Sequence, residues 1–300
     1  MNWKVLALIL CIVHVTNAIH AGSFNIALEN DVIAGTDQHY THGTKFLYFT
    51  DAPSYFDNVF EDKQKEMGIA LAQYMYTPSD IGVSELIEDD RPYGGWFYLE
   101  ALLIARDNTW LDMFGVNLGT TGKESLSEDT QKWIHEMIDS EEPMGWDHQI
   151  DSEIGVNLLY QKKYRWRTKW IDVIPSAGGS LGNIFTYLDA GCTIRGGYNL
   201  PDDFGMFKVE PATRVKNGFV CYSFFSAEGR WVLRNIFLDG NTFEDSHSVD
   251  KEDLIADLIA GIGIGYGNLE LIYSNTFRSR EFKGQEHSNR FGTIVLSWKL

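Results

Sequence analysis

Cysteine, proline and positive charge are all scarce in this chain. Three cysteines in 300 residues are too few for a disulfide-stapled scaffold. The 25 Lys and Arg are outnumbered by 42 Asp and Glu, a net charge of −17. That excess argues against a nucleic-acid partner, which needs a basic face to displace counterions from phosphates. Past the amino-terminal segment there is no uninterrupted apolar run of about 18 residues, which excludes a helical membrane protein. A Gly-rich phosphate loop, a zinc motif and a Gly-x-Ser-x-Gly elbow are all missing. Hydrophobic residues nevertheless make up 44% and aromatics 14%, with 28 glycines against 7 prolines. That is too apolar for a disordered chain and suggests an all-β protein.

The amino terminus reads Met-Asn-Trp-Lys, an apolar run from Val5 to Val15, then Thr16-Asn17-Ala18. This is the charge, apolar core and small-x-small site of a signal peptide spanning 1–18, with cleavage expected after Ala18. Cys11 falls in the discarded segment, because Leu10 is too bulky for a lipoprotein signal. Residues 19–300 read as one domain. They keep Cys192 and Cys221, whose pairing spacing alone does not establish.

Several segments alternate with period two. Ile154, Val156, Leu158 and Tyr160 oppose Gly155, Asn157 and Gln161; Phe24, Ile26 and Leu28 oppose Ser23, Asn25 and Glu29; Leu269, Leu271 and Tyr273 oppose Glu270 and Ser274. A sandwich turns such an apolar face to its core and a membrane barrel turns it to lipid, so the period alone leaves both open. Three features favour an antiparallel transmembrane β-barrel. The strands are long for a soluble protein. Aromatics sit near strand ends, at Trp96, Tyr98, Trp110, Trp146, Tyr160, Trp166 and Trp170, as in interfacial girdles. The last residues, Trp298-Lys299-Leu300, still read as strand. Strands are expected near 22–30, 41–51, 66–76, 92–106, 109–119, 149–163, 166–180, 183–198, 217–228, 250–265, 266–280 and 291–300, about twelve in all. With the amino terminus in the periplasm, every odd-to-even connection lies outside the cell.

One of those extracellular connections carries a helix, from Ser125 to about Ser140. Ser125 and Glu128 match a capping box. Leu126, Thr130, Trp133 and Met137 form one stripe, and Gln131 and His135 share another face. On the same side lie Glu29-Asn30-Asp31, Thr41-His42, Asp89-Asp90-Arg91 and the segment from Asp239 to Ser248. Each has a bland reading as turn or solvated loop. Ser246-His247 is a poor dyad, because adjacent side chains seldom face one another. Together the clusters offer a carboxylate, an amide, a hydroxyl and an imidazole. The imidazole can take a proton from water. Asp31 and oxygens near it can hold a hard cation such as calcium, which would polarise an ester carbonyl. Ester hydrolysis is the reaction class this suggests.

These residues resemble the outer-membrane lipid A 3′-O-deacylases over nearly the whole mature chain. The resemblance rests on Glu29-Asn30-Asp31, Tyr40-Thr41-His42-Gly43, Asp90-Arg91-Pro92-Tyr93-Gly94-Gly95-Trp96, Gln131-x-x-x-His135, Gly145-Trp146-Asp147-x-Gln149, Asn199 to Gly205, and Phe237 to Phe243 followed by Ser246 to Asp250. It implies a twelve-stranded barrel that removes the 3′-acyloxyacyl group from lipid A with calcium. It assigns the general base to His135 and the rest of the site and the metal environment to Asn30, Asp31 and Thr41, with Gln131 beside the histidine. Arg91 becomes the expected contact for a lipid A phosphate. Two departures stand out: Gly122-Lys123-Glu124 replaces a Gly-Pro-type helix entry, and Leu300 stands where barrels often end in Phe.

Since Asn30 continues the face of Phe24, Ile26 and Leu28, the site is expected between the barrel wall and the helix, open to the outer leaflet. The implied protein acts as a monomer in the outer membrane on lipopolysaccharide. The rival readings are a pore or binding scaffold, a phospholipase barrel with a nucleophilic serine, and a secreted sandwich.

Overall fold

Alternating side chains build twelve long strands among the described residues, each antiparallel to its neighbours. In the computed structural model, residues 22–31, 39–56, 59–60, 62–205 and 218–300 are described. The expected signal peptide, 1–18, lies outside the described residues. The strands are β1 (Ser23–Asn30), β2 (His39–Asp51), β3 (Gln64–Thr77), β4 (Gly94–Arg106), β5 (Trp110–Thr120) and β6 (Ile154–Tyr164). They continue with β7 (Ile171–Gly182), β8 (Phe185–Tyr198), β9 (Phe219–Asn235), β10 (Leu254–Tyr266), β11 (Leu269–Arg278) and β12 (Asn289–Lys299). β1 pairs with β12, placing Ser23 opposite Lys299. β6 pairs with β7, placing Leu159 opposite Ser180. The sheet is therefore closed and leaves no long unpaired edge. A two-residue strand, Trp166–Arg167, prolongs the β6 end of the β6–β7 hairpin.

Exposure decides between barrel and sandwich. Ile154, Val156 and Leu158 are exposed while Asn157 between them is buried. Leu269 and Leu271 are exposed while Glu270 is buried. Apolar side chains thus cover the outside and polar ones face the lumen, the inversion that a lipid solvent demands. Around the rim where the chain ends meet, Trp110, Trp166, Trp170, Tyr198, Phe219, Tyr266 and Trp298 are exposed and form an aromatic girdle. Trp96, Tyr98 and Trp146, expected in that girdle, are instead buried. Trp96 and Tyr98 stand on the inward parity of β4, stacked at 5.2 Å in the lumen.

Side chains fill that lumen. Tyr40, Tyr76, Trp96 and Phe237 pack at one end, and Phe49, Leu102, Leu111 and Phe204 at the other. Phe237 arrives on the short helix α2 (Ile236–Asp239), which folds inward from the end of β9 and stacks on Tyr76 at 4.3 Å. Buried ion pairs lie between: Lys45 with Glu100 at 2.5 Å, Arg278 with Asp257 at 2.8 Å, and Arg195 with Asp172 at 2.7 Å and Asp203 at 2.5 Å. A cavity of about 270 Å³ remains, lined by Glu29, Lys45, Tyr74, Glu100, Arg230 and Arg278 among others.

Cys192 and Cys221 are free. In the β8–β9 ladder Cys192 faces Ala227, whereas Cys221 faces Tyr198. A six-residue offset is about 20 Å of strand, beyond disulfide reach.

The longest connection, between β5 and β6, carries a 3₁₀ turn (Gly122–Ser125) and the helix α1 (Ser127–Ile138). The capping box expected at Ser125 does not form. Leu126 sits at φ 58° between the turn and the helix, so the helix begins two residues late. Ser125 Oγ instead donates to the Gly122 carbonyl at 2.6 Å.

Arg195 is wholly buried, and its guanidinium also donates to the Pro201 carbonyl at 3.2 Å. Arg195→Ala removes the guanidinium paired with Asp203 and leaves Asp172 to Arg167 alone. It is expected to lower stability by about 3–5 kcal/mol, read as an earlier urea midpoint for the detergent-solubilised barrel.

Candidate active site on the outer wall of the barrel

Strand parity sets which rim residues face outward. Asn30 on β1 pairs with His42 on β2, His42 with Met75 on β3, and Met75 with Gly95 on β4. These four stand in one row on the outward face, above Leu28, Ile69 and Leu99. Asn30 Nδ2 donates to the Thr41 carbonyl at 3.0 Å. Thr41 is the extra residue of a bulge, because the β2–β3 register shifts between Tyr40 and His42. Bulges re-aim side chains at barrel rims. Tyr40 points inward and donates to Glu29 Oε2 at 2.6 Å, while the Thr41 hydroxyl lies 2.6 Å from that of Thr77. Asn30, Thr41 and Thr77 so form one polar line across three strands. Asp31, which follows Asn30, is fully buried.

The helix docks on the same outer wall. Gln73 Nε2 donates to the Ser125 carbonyl at 2.7 Å. A Cβ on Gly95 would lie 2.0 Å from Ser127 Oγ and 2.1 Å from Ser125 Oγ, so only glycine admits the helix there. Its neighbour Gly94 faces the other way, where a Cβ would meet the Phe237 ring at 2.6 Å. The Gly94-Gly95 pair thus allows close packing on both sides of one strand.

The docked face of α1 is polar. Ser127, Gln131 and His135 are its buried residues. Gln131 Oε1 accepts from Trp146 Nε1 at 2.7 Å. Trp146 belongs to a buried cluster with Met75, Ile81 and Tyr93. Met75 therefore links the helix side of the site to the Asn30–Thr41 side through the outward row. No direct contact between His135 and Asn30 or Thr41 is seen among the described residues.

Local geometry fixes the imidazole. Asp139 takes φ 56° and ends the helix, and Ser140 N–H donates to the His135 carbonyl at 2.9 Å. The chain turns back, bringing the Glu141 carbonyl against His135 Nδ1. A carbonyl only accepts, so Nδ1 carries the proton and Nε2 presents its lone pair. The segment then runs along the β3–β4 loop, with Met144 N–H on the Ile81 carbonyl at 2.8 Å and Ile150 N–H on the Tyr93 carbonyl at 2.9 Å.

Arg91, expected at a lipid phosphate, is buried. Its guanidinium pairs with Glu281 at 3.2 Å and lies 4.7 Å from the Tyr76 ring. Placed so, it ties the β3–β4 and β11–β12 loops together and offers no surface to a phosphate. Ser246 and His247 diverge: Ser246 Oγ accepts from Asn241 N–H at 2.8 Å, and His247 Nε2 lies 2.8 Å from the Asp90 carbonyl.

No group of three or more His, Cys, Asp and Glu gathers to hold a metal among the described residues. The donors at the Asn30 corner are the Asp31 carboxylate and neutral amide, hydroxyl and carbonyl oxygens. Such hard oxygens fit calcium and suit zinc or copper poorly.

Sequence reasoning did not assign Glu141, Trp146, Thr77 or His42 to the site. Glu141 acts through its backbone, which leaves no residue signature. His42, half-buried on the outward row with Nε2 2.6 Å from Thr44 Oγ1, shares the Asn30 face by parity and was legible from it.

A polar lipid-side site on a closed, filled twelve-stranded barrel defines an outer-membrane β-barrel protein with a candidate centre on its outer wall. The family model described as "Outer membrane protein LpxR" matches residues 5–300. The chain belongs to this family, the lipid A 3′-O-deacylases that its motifs resemble. The solved "LpxR from Salmonella typhimurium" is similar in fold, with TM-score 0.78 and 19% identity over 93% of this chain and 100% of that one. The β domain of the Bordetella autotransporter BrkA aligns with TM-score 0.46 and 8% identity, over 93% of this chain and 98% of that one. Comparison with curated proteins gives no match.

Gly95→Leu is expected to lift α1 from the wall while the barrel persists, seen as faster proteolysis within 122–148 with an unchanged heat-modifiable band. Gln131→Leu removes the acceptor of a buried indole N–H and should cost about 1–3 kcal/mol in thermal unfolding.

Glu153 anchors the loops behind the helix, accepting from Asn183 Nδ2 at 2.6 Å and Thr242 N–H at 2.7 Å. Burial raises its carboxyl pKa, but hydrogen bonds from Thr242, Asn183 and Asn241 outweigh that and hold it below the ordinary value. The folded value is depressed, so the stabilisation is complete above the unfolded value of about 4.3 and disappears as pH falls through the folded one. Glu153→Gln should flatten the loss of thermal stability between neutral and acidic pH.

Proposed function

We propose that this protein is a calcium-dependent esterase that hydrolyses the 3′-O-linked acyloxyacyl chain of lipid A in the outer leaflet, with water activated by His135 as the nucleophile. The observation that carries this reading is the imidazole: its Nδ1 proton is committed to the Glu141 carbonyl, so Nε2 is the base, on the outward face of the wall. Family membership supports the substrate class.

In this mechanism Nε2 takes a proton from water as the oxygen attacks the ester carbonyl. The tetrahedral intermediate collapses, the imidazolium returns the proton to the departing sugar oxygen, and a free fatty acid leaves. Gln131 Nε2 is buried with no protein partner among the described residues. It is a donor available to water or to the oxyanion. Asn30 and Thr41 hold the far side of the site. Asp31, with oxygens of Asn30 and Thr41, would hold the cation. Calcium, when bound, would polarise the ester carbonyl and offset the repulsion between an anionic headgroup and a chain of net charge −17. The protein is taken to act as a monomer.

The filled lumen weighs against a pore, and the separation of Ser246 from His247 against a serine phospholipase. Mass spectrometry of lipid A from outer membranes is the test. His135→Ala should reduce 3′-deacylation by about 10²–10⁴-fold in a barrel that still folds, and a calcium chelator should suppress the wild type. Conductance across a bilayer with no lipid A cleavage would overturn the proposal.

A further inference from the structure

Helix α1 is inside-out. Its buried residues are polar, with Gln131 2% and His135 6% exposed, whereas Trp133 is 59% and Met137 62% exposed. Trp133 and Met137, four apart, lie on one side of the helix, and Leu126, also exposed, precedes its first turn. Glu128, Lys132 and Glu136 occupy a separate arc, and Lys132 bridges Glu128 at 2.7 Å. The helix so presents three faces: polar to the barrel, charged to water, and apolar to a third surrounding. A helix in water would bury Trp and Met and expose Gln and His.

What meets the apolar face follows from where α1 docks. It rests on the outward side of β3 and β4, at Gln73 and Gly95. Below that contact the same wall turns Ile69, Leu99 and Leu118 outward, all exposed. Gly95 and Leu99 are four residues apart on β4, about 13 Å of strand. The apolar face of α1 thus continues the lipid-facing wall upward. We propose that α1 lies in the interface of the outer leaflet with its exposed Trp133 and Met137 against lipid acyl chains, and that this contact holds the helix at the depth of its ester substrate. An indole suits that boundary. The first half rests on outer-membrane residence alone, and the second on the esterase reading.

Spin labels test the first half without reference to activity. In a full-length Cys192→Ser/Cys221→Ser background, labels are placed at Met137→Cys, at Glu136→Cys and, as a wall reference, at Leu99→Cys. The barrel is reconstituted into phosphatidylcholine–phosphatidylglycerol vesicles. Met137 should favour oxygen over a nickel chelate as Leu99 does, and Glu136 should favour the chelate. A water-like Met137 overturns the proposal. For the second half, Trp133→Lys/Met137→Lys leaves the docked face untouched. It should lose most cleavage of lipid A in vesicles while keeping cleavage of a detergent-dispersed ester. Equal loss on both substrates, or loss on neither, overturns the positioning role. Absence of cleavage by the wild type would count against the esterase reading and leave the label result standing.

Discussion

On a barrel strand, each side chain faces either lipid or lumen, and parity decides which. That single constraint places everything else. It sends Lys45, Glu100, Arg195 and Asp172 inward, where they pair, and Leu99, Val116 and Leu158 outward, where lipid accepts them. It also sets the row Asn30, His42, Met75 and Gly95 on the outer face of the rim. A helix seated on that row is, by the proposal above, in direct contact with the leaflet. On the proposed reading, an ester in the same leaflet reaches the site without entering the barrel, whose interior is filled by side chains.

Two small devices adapt the wall to chemistry. A bulge at Thr41 turns its hydroxyl toward Thr77 and adds polar atoms beside Asn30. A glycine at 95 lets Ser125 and Ser127 approach the backbone. The turn after Asp139 then commits one imidazole nitrogen, Nδ1 of His135, to the Glu141 carbonyl. Burial of Gln131 and His135 is offset where Gln131 Oε1 meets the Trp146 indole and His135 Nδ1 the Glu141 carbonyl, and exposure of Trp133 fits the proposed lipid surrounding.

Much of this was legible in the sequence. The alternation from Ile154 to Tyr160 marked β6 and its faces, and all twelve strands lie close to their expected positions. The end of β9 was missed, since Arg230 and Arg234 obscure an alternation that Trp231 and Leu233 continue outward. The Gln131–His135 spacing marked one helix face, but periodicity cannot say which face docks when the solvent is lipid. Trp96 and Tyr98 read as girdle residues because they are aromatic near a strand end; their parity points inward. Arg91 read as a phosphate contact because it is basic and near a rim, yet a buried carboxylate 190 residues away, Glu281, claims it. Partners that distant, and backbone acceptors such as Glu141, leave no local pattern to read.

The central claim is that the substrate meets the outer wall between β1 and β4. Lipid A carrying a photoreactive acyl chain, incorporated with the His135→Ala barrel into vesicles and irradiated, tests it most directly. Adducts mapped by mass spectrometry should fall on outward residues such as Ile69, Gln73, Phe97 and Trp133. Adducts on lumen residues such as Tyr76, Tyr98 or Glu100 would contradict the account.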